Sequence, residues 1–96
     1  LTAQALQLDP LDDVAIVLQH VAKGGVVTVA TSNITLTALQ EIPIHHKIAL
    51  HDLRDDKPLR RGGLVIGKTR QAVSQGAHVH AHNLVSLRAS TTEIPV

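Results

Sequence analysis

A chain of 96 residues with no Phe, Trp, Tyr, Met or Cys must build its core from Leu, Val, Ile and Ala, and it can bury only about two-thirds of the surface its unfolded form exposes. Nine basic against eight acidic residues give a net charge of +1, and this balance, with no aromatic rings to stack on bases, argues against nucleic acid as a partner. The lack of cysteine excludes disulfides and thiolate metal sites, leaving His, Asp, Glu and backbone oxygen as ligands and suiting a cytoplasmic location.

The chain starts at Leu1 and contains no methionine, which we read as a fragment or processed product with a larger natural context. The longest apolar stretches, such as Val14 to Leu18, fall far below the ~20 residues that span a bilayer, and there is no signal-peptide pattern, so no membrane partner is expected. Val14, Val17, Leu18 and Val21 follow the i, i+3, i+4, i+7 spacing of one buried stripe. That spacing predicts one short helix from about Leu11 to Ala22, with the carboxylates of Asp9, Asp12 and Asp13 capping its start and Gly24-Gly25 ending it.

Everything after Gly25 reads as short strands punctuated by turns. Val26 to Ala30 and Ile34 to Leu36 flank Thr31-Ser32-Asn33 like the arms of a hairpin. Lys47 to Leu50, Leu64 to Gly67 and His78 through Leu87 are further strands, joined through turn residues at Arg54 to Pro58 and Ser74 to Gly76. The fold class is therefore mainly β with one short helix, a small barrel-like domain. The whole chain, 1–96, reads as a single domain with its core at about residues 5–88 and a flexible tail at residues 89–96.

Histidine is distributed unevenly. Six of the seven fall in two strand-like segments, His45, His46 and His51 in one and His78, His80 and His82 in the other. Alternation along a strand puts His78, His80 and His82 on one face, and these three are the candidate metal ligands. The outer two backbones would lie ~13 Å apart, however, and an imidazole with its ~2.1 Å metal bond reaches about half that. Two adjacent histidines with a ligand from another segment form an easier site, and His46 is the natural companion. Iron(II), manganese(II) and zinc(II) all accept such nitrogen and oxygen ligands.

The order of motifs carries a resemblance. Leu11-Asp12-Asp13-Val14-Ala15, then His46-Lys47-Ile48-Ala49-Leu50, then Gly63 through Gly67, then Gly76-Ala77-His78-Val79-His80-Ala81-His82-Asn83 resembles the SAF-type domain of the altronate and galactarate dehydratases, over roughly Leu8 to Asn83. The sulfolactate sulfo-lyase small subunit belongs to the same group. The resemblance implies a β-clip fold and a part in eliminating water, or sulfite, from a hydroxylated carboxylic acid such as a sugar acid. It also implies a large dehydratase subunit or domain that holds most of the catalytic machinery.

Under that reading His46 and His80 are the candidate catalytic groups, Lys47 and Arg61 grip the substrate carboxylate, and Asn83 bonds a sugar hydroxyl or holds a histidine tautomer. The chain departs from the family pattern by carrying Asp9 for a usual His, Asp13 for Asn, His45 for Gly, Gly62 for Tyr and Ala77 for Glu. These departures fit a divergent member with an unusual substrate or a relative that kept the fold alone. Two other functions stay open, a stand-alone binding module for an acidic sugar or metal and a non-catalytic oligomerisation domain forming homo-oligomers. Taken singly, His20, His45 and His51 read as surface residues, Lys47 and Arg61 as surface charges, Asp12 and Asp13 as helix caps, and Gly62, Gly63, Gly67 and Gly76 as turn residues.

Overall fold

The computed structural model describes residues 2–86 as nine short β-strands, with no helix among them. They are β1 (Ala3–Leu6), β2 (Val14–Val17), β3 (Val26–Val29), β4 (Ile34–Thr37), β5 (Lys47–Ala49), β6 (Pro58–Arg61), β7 (Leu64–Thr69), β8 (His78–Val79) and β9 (Leu84–Ser86). Six form one curled sheet in the order β4-β3-β1-β2-β5-β8, antiparallel throughout except for the parallel pair β1 and β3. The others form a small antiparallel sheet in the order β6-β7-β9. The mainly β expectation holds, and no helix of the described residues is long and apolar enough to cross a membrane.

The predicted helix from Leu11 to Ala22 is replaced by strand β2. Its residues Val14, Ala15 and Val17 are fully buried, because β2 lies between β1 and β5 with both faces covered. A strand buried on both faces loses its two-residue alternation, and a short apolar run then matches a helical stripe equally well. Tertiary pairing decides the matter, and Gly24-Gly25 make a turn in which Gly25 N–H donates to the Ala22 carbonyl at 2.8 Å.

Asp12 and Asp13 are therefore not helix caps. Each is only 4% exposed, and their carboxylates join the start of β2 to the other sheet. Asp12 accepts from the N–H groups of Gly62 and Gly63 at 2.7 and 2.8 Å, which fixes the β6–β7 hairpin turn. Asp13 accepts from Arg60 N–H at 2.8 Å, and its other oxygen meets His51 Nε2 at 2.8 Å and Lys57 Nζ at 3.0 Å. Burying two neighbouring carboxylates is tolerable only because each is so fully bonded.

The apolar interior forms two clusters on opposite faces of the large sheet. Ala15, Val17, Val27, Val29, Ile42 and Ile48 belong to one, and Val14, Ala49, Leu53, Leu59 and Val79 to the other, which the small sheet covers. The strand expected from His78 through Leu87 is broken in two by a turn at residues 80–83, which carries the chain from the large sheet into the small one. Leu87 and the expected tail at residues 89–96 lie outside the described residues.

Two backbone positions decide how this scaffold tolerates change. Gly76 has φ +87° and packs so closely on the Thr37 carbonyl that a Cβ has no room, whereas Gly24, at φ +85°, has open space around it. Gly76→Ala should cost about 2–4 kcal/mol, from strain plus overpacking, and Gly24→Ala only ~1–2 kcal/mol, from strain alone. His45 holds φ +69° just before the histidine strand, so His45→Gly should stabilise the fold by up to ~1 kcal/mol. Urea unfolding midpoints check all three.

Candidate histidine site

β5 and β8 are antiparallel, with Lys47 opposite Val79 and Ile48 opposite His78. Continuing that register by one residue places His46 opposite His80 and diagonal to His78, and directly opposed side chains share a face. The rings meet accordingly. His46 stacks on His80 with centroids 4.1 Å apart and on His78 at 5.0 Å, and His46 Nδ1 lies 2.8 Å from His78 Nε2. Ring nitrogens of His46, His78 and His80 lie within 4.8 Å of one another.

The turn that follows holds this arrangement. Asn83 is buried, and its side-chain oxygen accepts from His80 N–H at 2.9 Å while its amide donates to the His78 carbonyl at 2.8 Å. Both polar ends of Asn83 are thus spent on the backbone of the two histidines. Gln40 adds a tie from the β4–β5 connection, accepting from His78 N–H at 2.9 Å. His82 sits in the turn with its ring 5.3 Å from that of His78, tilted by 41°.

Burial and crowding lower the proton affinity of His78 and His80. His78 is pushed down to about 4 by burial first and then by His46, His82, His80 and Lys47, and His80 is lowered by partial desolvation followed by His46, Lys47 and His82. The 2.8 Å contact between His46 and His78 itself requires one protonated and one bare nitrogen. Lys47 is held below the usual lysine range by burial and by the Arg61 guanidinium. Among the described residues no carboxylate forms an ion pair with Lys47 or Arg61, and Lys47, opposite Val79, leaves β5 towards the small sheet while its charge still acts on His78 and His80.

Neutral imidazoles are the form that binds metal. A four-coordinate ion with ~2.1 Å bonds needs its nitrogens roughly 3.4 Å apart, which side-chain rotation from the present spacing can reach. His46, His78 and His80 would then supply three ligands and leave an open position. Of the predicted ligands, His78 and His80 join this group with His46, whereas His82 stands beside it. The Lys47 charge acts on His78 and His80 and that of Arg61 on Lys47, and His20 and His45 lie outside the cluster, His20 paired with Glu41 at 2.6 Å. Sequence reasoning missed the Asp13–His51–Lys57 network and the tie from Gln40, since neither leaves a spacing signal.

The low value for His78 has a definite consequence for stability. A folded-state pKa near 4 against ~6.5 in the unfolded chain means the unfolded state binds more protons between these values. The contribution is full above about pH 6.5 and is lost as pH falls towards 4. Metal-free protein should show a falling urea midpoint across that window, with a shallower fall in His78→Gln.

Comparison with known proteins gives the same direction. Residues 3–87 match the altronate/galactarate dehydratase SAF domain, a β-clip fold with which the curled all-β sheet agrees. The chain is 38% identical over 80 residues to altronate dehydratase of Escherichia coli, covering 83% of this chain and 16% of that protein. It is 43% identical over 47 residues to the (2R)-sulfolactate sulfo-lyase subunit alpha of Chromohalobacter salexigens, covering 49% of this chain and 50% of that one. With the subunit alpha of Paracoccus pantotrophus it shares 40% identity over 63 residues, covering 66% of this chain and 94% of the relative. The chain thus spans about a sixth of the length of the dehydratase and half of the first sulfo-lyase subunit. On a match that runs from β1 to the last described strand, the chain belongs to the altronate/galactarate dehydratase SAF domain family.

Proposed function

We propose that this chain is the small subunit or domain of a hydro-lyase that dehydrates a sugar acid to a 2-keto-3-deoxy acid, working with a large catalytic subunit or domain. The supporting observation is the cluster of His46, His78 and His80, two of them with lowered proton affinity, with the Lys47 charge acting on His78 and His80. Relatives named for altronate dehydration and sulfolactate cleavage share elimination next to a carboxylate, and the small share of the dehydratase covered fits a domain acting beside a larger one.

In such an elimination a base takes the proton next to the carboxylate, and the hydroxyl on the neighbouring carbon departs after gaining a proton. His80 is the exposed member of the cluster and is neutral at pH 7, so it can receive or return that proton. His46 stacks against it and sets its plane. Lys47 and Arg61 draw in the substrate carboxylate and oppose the charge that develops on it. A divalent ion held by His46 and His78 would polarise the carboxylate and the departing hydroxyl; if His80 also ligated it, another group would have to take the proton. The buried Asn83 ties His80 in the turn to His78 in β8, which is how it contributes to binding.

On the whole lyase, His80→Ala should lower kcat by about 100-fold or more with the fold retained, whereas Lys47→Met should mainly raise KM for the acid, by roughly tenfold. Full turnover in a protein lacking His46, His78 and His80 together would refute the reading. Calorimetry with Zn2+ or Mn2+ should give one ion per chain, with affinity lost in any single alanine variant of the three.

A further inference from the structure

The two most exposed large apolar side chains among the described residues, Leu11 and Leu64 at 71% each, are far apart in the sequence but meet at one corner of the fold. Leu11 stands in the loop before β2, and Asp12 beside it bonds Gly62 and Gly63, the turn that leads into Leu64. Leu8, itself 52% exposed, lies against the same turn, since a Cβ on Gly62 would meet its Cδ1 at 3.8 Å. Single exposed leucines are ordinary on a protein surface, but three that share one corner mark a contact surface.

Beside these leucines the surface is hollow. A groove of about 460 Å³ lies between the β1–β2 loop and the β3–β4 turn, with apolar walls from Leu8, Pro10 and Ile34, and Leu11 stands next to it in the chain. An exposed apolar side chain and an apolar-walled groove thus lie side by side. A two-fold axis satisfies such a pair twice, because each copy offers the other the part it needs.

The charges at this corner are mixed in the same way. Asp9 lines the groove, accepts from Leu11 N–H with one oxygen at 2.9 Å and sets the other against Gly63. The Arg60 guanidinium donates to the Gly63 carbonyl at 3.0 Å. Among the described residues neither Asp9 nor Arg60 forms an ion pair. One carboxylate and one guanidinium match a second copy in reciprocal pairs, whereas a uniformly acidic or basic partner would set one of them against like charge.

We infer that this face joins two copies of the chain about a two-fold axis, with Leu11 of each entering the groove of the other, Leu64 packing over the join, and Asp9 of each meeting Arg60 of the other. The face shares no residue with the cluster of His46, His78 and His80, so the inference stands or falls independently of the lyase reading.

Sedimentation equilibrium of the 96-residue chain should show monomer and dimer with a Kd on the order of 10–100 µM, as for a small transient interface. Leu11→Asp and Leu64→Asp should each weaken the dimer about tenfold or more, while Leu18→Asp, at an exposed leucine elsewhere on the surface, should leave it unchanged. The charged pair gives a reading that general apolar attraction cannot. Asp9→Lys and Arg60→Glu should each weaken self-association about tenfold, since like charges then face each other twice. An equimolar mixture of these two variants should associate about as tightly as the unaltered chain, because both pairs are opposite again. Thermal unfolding of dilute samples reports that each variant is folded. A chain that stays monomeric well above that concentration range, a dimer that survives both leucine variants, species that grow beyond the dimer, or a mixture no tighter than either charge variant alone would each overturn the inference.

Discussion

The antiparallel register between β5 and β8 is the constraint from which the site follows. With Ile48 opposite His78, His46 has no choice but to face His80, and a slip of one residue would turn every imidazole to the other face. Register is well specified here because Ile48 and Val79 are both fully buried, on opposite faces of the sheet. A slip would expose them, at ~1.5–3 kcal/mol for each side chain. The apolar core thus sets the geometry of a polar cluster that contributes little to stability itself.

A second tie fixes where the small sheet sits. Asp12 and Asp13 reach from the start of β2 into the β6–β7 hairpin, through bonds of 2.7–3.0 Å to Arg60, Gly62, Gly63 and Lys57. The same hairpin carries Arg61, whose charge acts on Lys47. Two buried carboxylates therefore hold Arg61 where its charge reaches Lys47. Asp13 already has Lys57 and His51 as partners, so its negative charge is spent there, away from Lys47.

The electrostatics of the cluster are self-limiting. Burial lowers the proton affinity of His78 and His80, and their imidazole neighbours and Lys47 add to the effect, so these two resist charging at neutral pH. Lone-pair nitrogens of His78 and His80 are thereby kept available to a metal or a proton. A surface of independent histidines would titrate near 6.5 each and hold no such state.

Much of this was legible in the chain itself. Composition excluded aromatic stacking and thiolate chemistry, the histidine spacing singled out His78, His80 and His82 with His46 as their companion, and strand distances showed that the alternating run does not meet one ion unaided. The hairpin around Asn33 and the turn at Gly76 were also readable, because positive φ demands particular residues. Sequence failed at β2, where burial on both faces erased the alternation that distinguishes a strand from a helix. It failed again at residues 80–83, where Asn83 folds the histidine run into a turn instead of continuing the strand. Local composition therefore determined which side chains were available and which chemistry they support. Only tertiary pairing decided which of them meet, since the partners of His46 and Asp13 lie more than thirty residues away and are chosen by sheet register and core burial.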